Sequence, residues 1–206
     1  MIGFGQNVNI PDANFKAYLV GEPSINTNGD TEIQVSEATA FNGSISCAFQ
    51  SISDLTGIEA FTALTELDCG WNQLTSLNLS TNTALTKLYC TNNQLTSLDV
   101  RNGNNLNWEF NVSDMVLVFD ITINPNLYCI DVDDAVWSTA NLTVGWNIDP
   151  HHYFSNNCPP SSIEEHTTNK KLLKVTDLLG RETKQTNQPL FYIYDDGTVE
   201  KRIVIE

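Results

Sequence analysis

The middle of the chain repeats one pattern of apolar and polar positions. Leucine returns every 21 residues, at Leu64, Leu85, Leu106 and Leu127. Two central units share the same slots, which are Leu64, Leu67, Cys69, Asn72, Leu74, Leu77 and Leu79 in one and Leu85, Leu88, Cys90, Asn93, Leu95, Leu98 and Val100 in the other. Unrelated hairpins would not explain so regular a spacing. The pattern predicts stacked units, because one unit cannot bury its apolar face alone.

The motif of each central unit is Leu-x-x-Leu-x-Cys-x-x-Asn-x-Leu, which resembles the leucine-rich repeat with cysteine in one apolar slot. The resemblance implies an α/β solenoid, a short leucine-rich repeat array with a parallel β-sheet. We expect one short strand in each unit, at 66–69 and 87–90, with alternate side chains pointing inward. Asn72 and Asn93 follow these strands, and their amides are expected to satisfy backbone groups of the turns.

Weaker units flank the central pair. A third unit is counted from Leu106, and its slots are Glu109, Asn111, Val116, Phe119 and Ile121, of which the first two are polar. An earlier unit has a spacing of 22 and apolar slots at Cys47, Ile52, Leu55, Ile58 and Phe61. We therefore place the repeats at residues 43–128.

Both ends of such an array need a cap, because the terminal units would otherwise expose their core. Residues 1–42 predict a helix, a loop and a helix, with Phe15 and Leu19 on an apolar stripe. This segment resembles the cap that precedes leucine-rich repeats in secreted bacterial proteins, and residues 52–61 resemble the first unit of an internalin. The resemblance covers residues 7–158 and implies a secreted or cell-surface protein. Residues 129–158 are expected to close the other end.

The loop between the two predicted helices has the spacing of an EF-hand calcium loop. The candidate ligands are Asn26, Asn28, Asp30, the backbone carbonyl of Glu32, and Glu37. Position 1 of the loop is asparagine, and Thr31 stands where glycine normally makes the sharp turn. The sequence therefore predicts a weak Ca²⁺ site, and the alternative is a metal-free turn with Glu37 on a helix face.

Outward positions of the predicted strands carry aromatic and charged side chains. They are expected on the concave face of the solenoid, at Phe49, Glu66, Asp68, Trp71, Lys87, Tyr89, Trp108 and Phe110. Exposed aromatic side chains on a rigid face are typical of interfaces. The pattern favours a binding module for a protein or glycan ligand. Two alternatives remain: Trp108 and Phe110 tuck under the irregular third unit, or the array is a structural spacer without a ligand.

The five cysteines fall into two groups. Cys47, Cys69 and Cys90 share the inward column, which favours a role as small core residues. Cys129 and Cys158 lie outside that column and are the candidates for a disulfide.

The acidic composition restricts the possible partners. Ten basic and 25 acidic side chains leave a net charge of -15, which disfavours nucleic acid and anionic membranes. No apolar run is long enough to span a membrane. No catalytic motif is present, so we expect that the protein is not an enzyme. We also expect a monomer. His151 and His152 are adjacent, and on a strand they would face opposite ways, which disfavours a shared metal.

Residues 159–206 differ in character from the repeats. A proline-rich linker and a rise in basic residues mark the boundary, and three strands with a hairpin turn at Gly197 follow. The segment resembles the C-terminal sorting domain of type IX secretion substrates, with matching positions at Asp177, Gly180, Arg181 and Gly197. The resemblance implies a small β-sandwich-like domain, the type IX machinery as partner, and export to the surface of a Gram-negative bacterium. No signal peptide is visible in the sequence.

Overall fold

A computed structural model describes most of the chain. The described residues are 5–108, 118–143, 147–159, 172–176, 181–183, 189–194 and 199–203. The chain divides into two compact units, Met1–Ser161 and Ser162–Glu206, and each is described separately. No helix among the described residues is long and apolar enough to cross a membrane.

The first unit begins with the predicted helix, loop and helix. Helix α1 spans Ala13–Gly21 and α2 spans Val35–Ala40. Helix α1 starts at Asp12, whose carboxylate accepts hydrogen bonds from the backbone N–H groups of the first turn at 2.9 and 3.0 Å. The other oxygen of the same carboxylate accepts two hydrogen bonds from Ser53 at 2.9 Å each. This one side chain therefore starts the helix and ties the cap to the first coil.

The repeats form two parallel sheets of four strands each. The strands, in chain order, are β1 Ser44–Ser46, β2 Glu66–Asp68, β3 Ser76–Asn78, β4 Lys87–Tyr89, β5 Ser97–Asp99, β6 Phe119–Asp120, β7 Cys129–Asp131 and β8 Tyr153–Ser155. The first sheet has the order β1-β2-β4-β6, and the second has the order β3-β5-β7-β8. The expected strands at 66–69 and 87–90 are present and pair with each other, with Leu67 opposite Leu88.

The second sheet was not expected from the sequence. Each central unit contributes two strands rather than one, and Leu77 pairs with Leu98 in the second sheet. The residues Leu77-x-Leu79 and Leu98-x-Val100 alternate apolar and polar positions just as Leu67-x-Cys69 does, so both segments can extend with one face buried. The coil therefore has a buried interior between two strand surfaces, and both leucines of each pair lie in the core.

Inward asparagines satisfy backbone groups of the turns, as the sequence predicted, and they also join successive coils. The amide oxygen of Asn93 accepts the Leu74 N–H at 3.0 Å, and its nitrogen donates to the Cys69 and Cys90 carbonyls at 3.1 Å each. Asn72 makes the matching contacts one coil earlier, with Ile52 N–H at 2.9 Å. These side chains satisfy backbone groups that the turns leave without partners inside the coil.

The third coil is longer than the sequence analysis predicted. Phe119 of β6 pairs with Leu88, although it lies 31 residues further along the chain rather than 21. The assignment of a third unit starting at Leu106 was therefore wrong. Leu127 is equivalent to Leu95 and not to Leu85, since it lies three residues before Ile130, which pairs with Leu98. Pairing is decided by which residues fill the core, and an insertion between them breaks the regular spacing.

The last strands of the first unit are held by a disulfide. Helix α3 spans Ala135–Asn141, and the Asp134 carboxylate accepts the Trp137 N–H at its start. The sequence candidates Cys129 and Cys158 are bonded, with their Cα atoms 5.8 Å apart. Phe154 of β8 packs against Phe119 with ring centroids 6.1 Å apart. These contacts join the segment after the repeats to the core of the third coil.

The second unit contains three described strands. They are β9 Leu172–Thr176, β10 Pro189–Tyr194 and β11 Val199–Ile203, in one antiparallel sheet of order β11-β10-β9. Arg181 is exposed between β9 and β10. Asp177, Gly180 and Gly197 lie outside the described residues, so the sorting motif and the sandwich-like arrangement stay predictions.

Candidate ligand-binding face

The outward positions of the first sheet are solvent-accessible, as their register predicts. In β2 and β4 the central leucines are buried, whereas Glu66, Asp68, Lys87 and Tyr89 are partly exposed. The Lys87 ammonium lies 3.2 Å from a Glu66 carboxylate oxygen across the two strands. We call this side of the sheet the outer face of the first sheet.

Two exposed aromatic rings stand at the edge of this face. Phe49 and Trp71 are 69% and 50% exposed, and their rings stack with centroids 5.2 Å apart and an interplanar angle of 15°. The two residues are in neighbouring coils, since Phe49 N–H donates to the Gly70 carbonyl and Trp71 N–H to the Thr91 carbonyl. The sequence placed both residues on one surface, and the structure brings them into contact.

The backbone at both residues is left-handed. Phe49 has φ 60° and Trp71 has φ 56°, and the equivalent residues Asn92 and Ile123 have φ 55° and 58°. This conformation costs about 1–3 kcal/mol for a residue other than glycine. The turn that follows each strand of the first sheet thus holds its residue in a fixed, strained position, and two of the four residues are large aromatics.

Trp108 does not belong to the exposed face, which corrects its assignment from the sequence. Its side chain is 0% exposed, its indole N–H donates to the Leu85 carbonyl, and its ring packs 5.6 Å from that of Phe119. The longer third coil places Trp108 ahead of the strand, where it fills the core, so the alternative reading was correct for this residue. Phe110 lies outside the described residues.

Two residues of this surface were missed in the sequence analysis. Asp120 pairs with Tyr89 on the outer face, and Ile123 is 54% exposed at the position equivalent to Trp71. A signal for both was present, because Ile121-x-x-Asn124 has the same spacing as Cys90-x-x-Asn93. The regular interval of leucines concealed it.

The outer face has a negative electrostatic field. Burial raises the pKa of the Tyr89 hydroxyl, and the carboxylates of Glu66, Asp68 and Asp120 raise it further. These three carboxylates therefore lie close enough to Tyr89 to disfavour a second negative charge. Lys87 forms an ion pair with Glu66. The carboxylates of Asp68 and Asp120 are not part of that ion pair and could attract a cationic ligand.

The side chains of the predicted calcium loop hydrogen-bond mainly to the loop itself. One oxygen of Glu37 accepts the N–H groups of Thr27 and Asn28 at 2.9 and 3.2 Å, and the other accepts the Gln34 N–H at 3.0 Å. Burial raises the pKa of the Glu37 carboxyl, but these hydrogen bonds outweigh it and hold the pKa below its usual value.

Two further candidate ligands, Asn26 and Asp30, are also engaged. Asn26 accepts the Gly29 N–H at 3.0 Å, and the two oxygens of Asp30 accept the Glu32 N–H and the Gln34 amide at 2.7 and 3.0 Å. The arrangement is that of a closed turn. Calcium binding stays a prediction, and an ion would have to replace several of these N–H donors, which is a reason to expect weak affinity.

His151 and His152 lie in a turn and not on a strand, which corrects the argument against a shared site. Possible ligand atoms of Asp149, His151 and His152 lie within 4.8 Å of one another. However, the Asp149 carboxylate accepts the N–H groups of Ile123 and Asn124 at 3.1 and 3.0 Å. His152 Nδ1 accepts the Asp149 N–H, and Nε2 faces the Asn124 carbonyl, both at 3.3 Å. Asp149 and His152 thus already satisfy backbone groups of the third coil.

The three cysteines of the inward column are free thiols in the core. Cys47, Cys69 and Cys90 are all buried, which confirms that the strands around them share one register. Burial raises the pKa of the Cys47 thiol to about 12 and that of the Cys69 thiol well above its usual value. The column therefore offers no thiolate for chemistry at neutral pH.

Comparison with known proteins gives one relative by sequence. No protein-family model matches the chain. Over 73 residues, 35% of its length, the chain is 38% identical to internalin J of Listeria monocytogenes serotype 4b (strain F2365). The chain is homologous to internalins at low identity. The matched stretch spans 8% of the length of internalin J.

Solved structures with similar folds include two from Listeria monocytogenes. The functional domain of InlJ, described as including a cysteine ladder, is 25% identical, with 64% of this chain and 39% of that chain covered and a TM-score of 0.38. The internalin inlF is 19% identical, with 72% and 46% covered and a TM-score of 0.45. The CBM51-2 and INT domains of Clostridium perfringens ZmpB are 22% identical, with 50% and 22% covered and a TM-score of 0.33.

Proposed function

We propose that the chain is a secreted or cell-surface leucine-rich repeat binding module and not an enzyme. Its ligand, a protein or a glycan, contacts the outer face of the first sheet and the Phe49–Trp71 pair. The observation that carries this proposal is the stacked, exposed aromatic pair on a left-handed backbone.

The energetics of the pair support a binding role. Large aromatic side chains stabilise a protein when they are buried, and these two leave 69% and 50% of their surface in water. Each also stands on backbone that costs about 1–3 kcal/mol. Stacking restricts both rings before a ligand arrives, which lowers the entropy lost on binding. Folding alone gains little from this arrangement, whereas a partner that covers the rings would gain apolar burial.

The proposed location agrees with the cysteine chemistry. A disulfide such as Cys129–Cys158 persists in oxidising compartments outside the cytosol. The similarity to internalin J agrees with a leucine-rich repeat module.

We further propose that residues 163–206 are an export address read by type IX secretion machinery, which would place the protein at the surface of a Gram-negative bacterium. The separate compact unit supports this role, since its removal should leave the repeats folded. Deleting residues 163–206 should abolish secretion from a type IX-competent host without lowering the melting temperature of the rest. Undiminished secretion would refute the export role, and a lower melting temperature would refute the independence of the two units.

The binding role is tested with the full chain on protein and glycan arrays. A double variant, Phe49→Ala with Trp71→Ala, should lose the signals that the unaltered chain gives. The matched control is Val136→Ala, which removes an exposed apolar side chain from α3 and should keep those signals. Equal signals from all three proteins would refute a role for the aromatic pair. Absence of any signal would favour the structural spacer.

A further inference from the structure

The stack covers one face of Trp71, and a short side chain stands in the next coil on the other side. Phe49 covers one face of Trp71, and on the other side the same column continues with Asn92 and then Ile123, as the hydrogen bond from Asn92 N–H to the Thr122 carbonyl shows. Neighbouring coils are about 4.8 Å apart, so Trp71 and Ile123 stand roughly 10 Å apart with the smaller Asn92 between them. We call the space bounded by these three residues the Trp71 notch.

A row of carboxylates runs beside this column. Asp68 pairs with Tyr89, and Tyr89 pairs with Asp120, so the two acids lie on the outer face one strand apart on either side of the tyrosine. Asp68 comes three residues before Trp71, and Asp120 comes three residues before Ile123. Both ends of the notch therefore have a carboxylate on the adjoining strand.

This combination selects for a particular ligand chemistry. A guanidinium is planar, stacks on aromatic faces and pairs with carboxylates. Oδ1 of Asp68 accepts the Gly70 N–H and Oδ1 of Asp120 accepts the Thr122 N–H, so the pairing would use Oδ2. Tryptophan is the aromatic side chain that attracts a cation most strongly. A sugar ring also stacks on an aromatic face, but a neutral saccharide gains no attraction from the charge of the nearby carboxylates. The notch therefore fits a planar cation better than it fits a neutral saccharide.

We propose that the partner is a protein segment that carries an arginine, whose guanidinium enters the Trp71 notch, stacks on the face of Trp71 opposite Phe49 and pairs with Asp68 or Asp120. This inference rests on the proposed binding function and specifies the ligand class. The charge of the chain, -15, adds long-range attraction for a basic segment.

The test uses N-acetyl-arginine amide and its neutral analogue N-acetyl-citrulline amide, which has nearly the same shape. The indole N–H signals of the four tryptophans are followed by NMR on the full chain, and Trp71→Phe assigns the Trp71 signal. The arginine probe should shift the Trp71 signal saturably and leave the buried Trp108 signal in place, and the citrulline probe should shift neither.

Variants of the acids define the site further. Asp68→Asn should weaken the arginine response about two- to fivefold, as expected for one partly exposed ion pair. Asp54→Asn, which alters an acid beside the second sheet, is the matched control and should leave the response unchanged. Equal responses to arginine and citrulline, or equal effects of the two variants, would overturn the inference.

The outcome is distinguishable from failure of the proposed function. If the array signals depend on Phe49 and Trp71 but the arginine probe does not shift Trp71, the binding module stands and the arginine partner is wrong. A shift of Trp71 by maltotriose without one by the arginine probe would identify the ligand as a glycan and would also overturn this inference. If the array signals do not depend on Phe49 and Trp71 and the arginine probe does not shift Trp71, both the proposed binding function and the arginine partner are wrong.

Discussion

Replacement of one inward asparagine tests the account of how the coils are joined. Asn93→Ala removes three hydrogen bonds of 3.0–3.1 Å, one from the Leu74 N–H and two to the Cys69 and Cys90 carbonyls, and a longer one of 3.5 Å to the Thr91 carbonyl. Each bond contributes about 0.5–1.5 kcal/mol, and a buried group left without a partner costs about 1–3 kcal/mol. The three backbone groups face the interior, so water replaces the lost bonds poorly. We expect the free energy of unfolding to fall by about 2–5 kcal/mol.

Urea denaturation followed by tryptophan fluorescence measures this loss. All four tryptophans lie between residues 71 and 146, so the signal reports on the repeats and not on the C-terminal unit. The matched control is Gln94→Ala, which alters the exposed neighbouring side chain and should change the free energy of unfolding by less than about 0.5 kcal/mol. A loss below about 1 kcal/mol for Asn93→Ala, or equal losses in both variants, would refute the reasoning.

Three further predictions follow from other contacts. Leu88→Ala should cost about 2–5 kcal/mol in the same assay and Lys87→Ala little, because the first side chain is fully buried and the second lies on the surface; equal losses would contradict the register. Burial lowers the pKa of His152, so the unfolded chain binds a proton more readily, and the free energy of unfolding should fall as pH drops below about 6.5. His152→Gln should flatten this dependence on pH. An unchanged slope in the variant would show that other groups cause the dependence. Glu37→Gln should lower the melting temperature even without metal, because it weakens the hydrogen bonds of the loop. Millimolar Ca²⁺ should raise the melting temperature of the unaltered chain and not that of the variant. If Ca²⁺ gives no rise, the loop is a metal-free turn.

The sequence by itself determined which side chains of the two central units face inward. Leu67, Leu88 and the cysteine column lie in the core as their alternation predicts, because a strand with one buried face must repeat every second residue. Asn72 and Asn93 were predictable for the same reason, since each follows a strand at a fixed interval and meets the same backbone groups. The Cys129–Cys158 disulfide was a candidate because both cysteines lie outside that column. The inward column and the asparagines depend on local spacing, and the disulfide candidates are the cysteines that this spacing leaves out.

Only the tertiary structure decided which residues meet at the third coil and at the turns after the strands. Trp108 is in the core and Asp120 on the outer face because β6 pairs with β4 after an insertion, and pairing depends on contacts between distant residues rather than on a regular interval. The stacking of Phe49 on Trp71 likewise joins residues 22 positions apart. Both residues lie in turns with left-handed backbone, which the pattern of apolar residues does not predict. The periodic core could be read from the chain because one unit specifies it, whereas the candidate binding face arises where neighbouring coils meet.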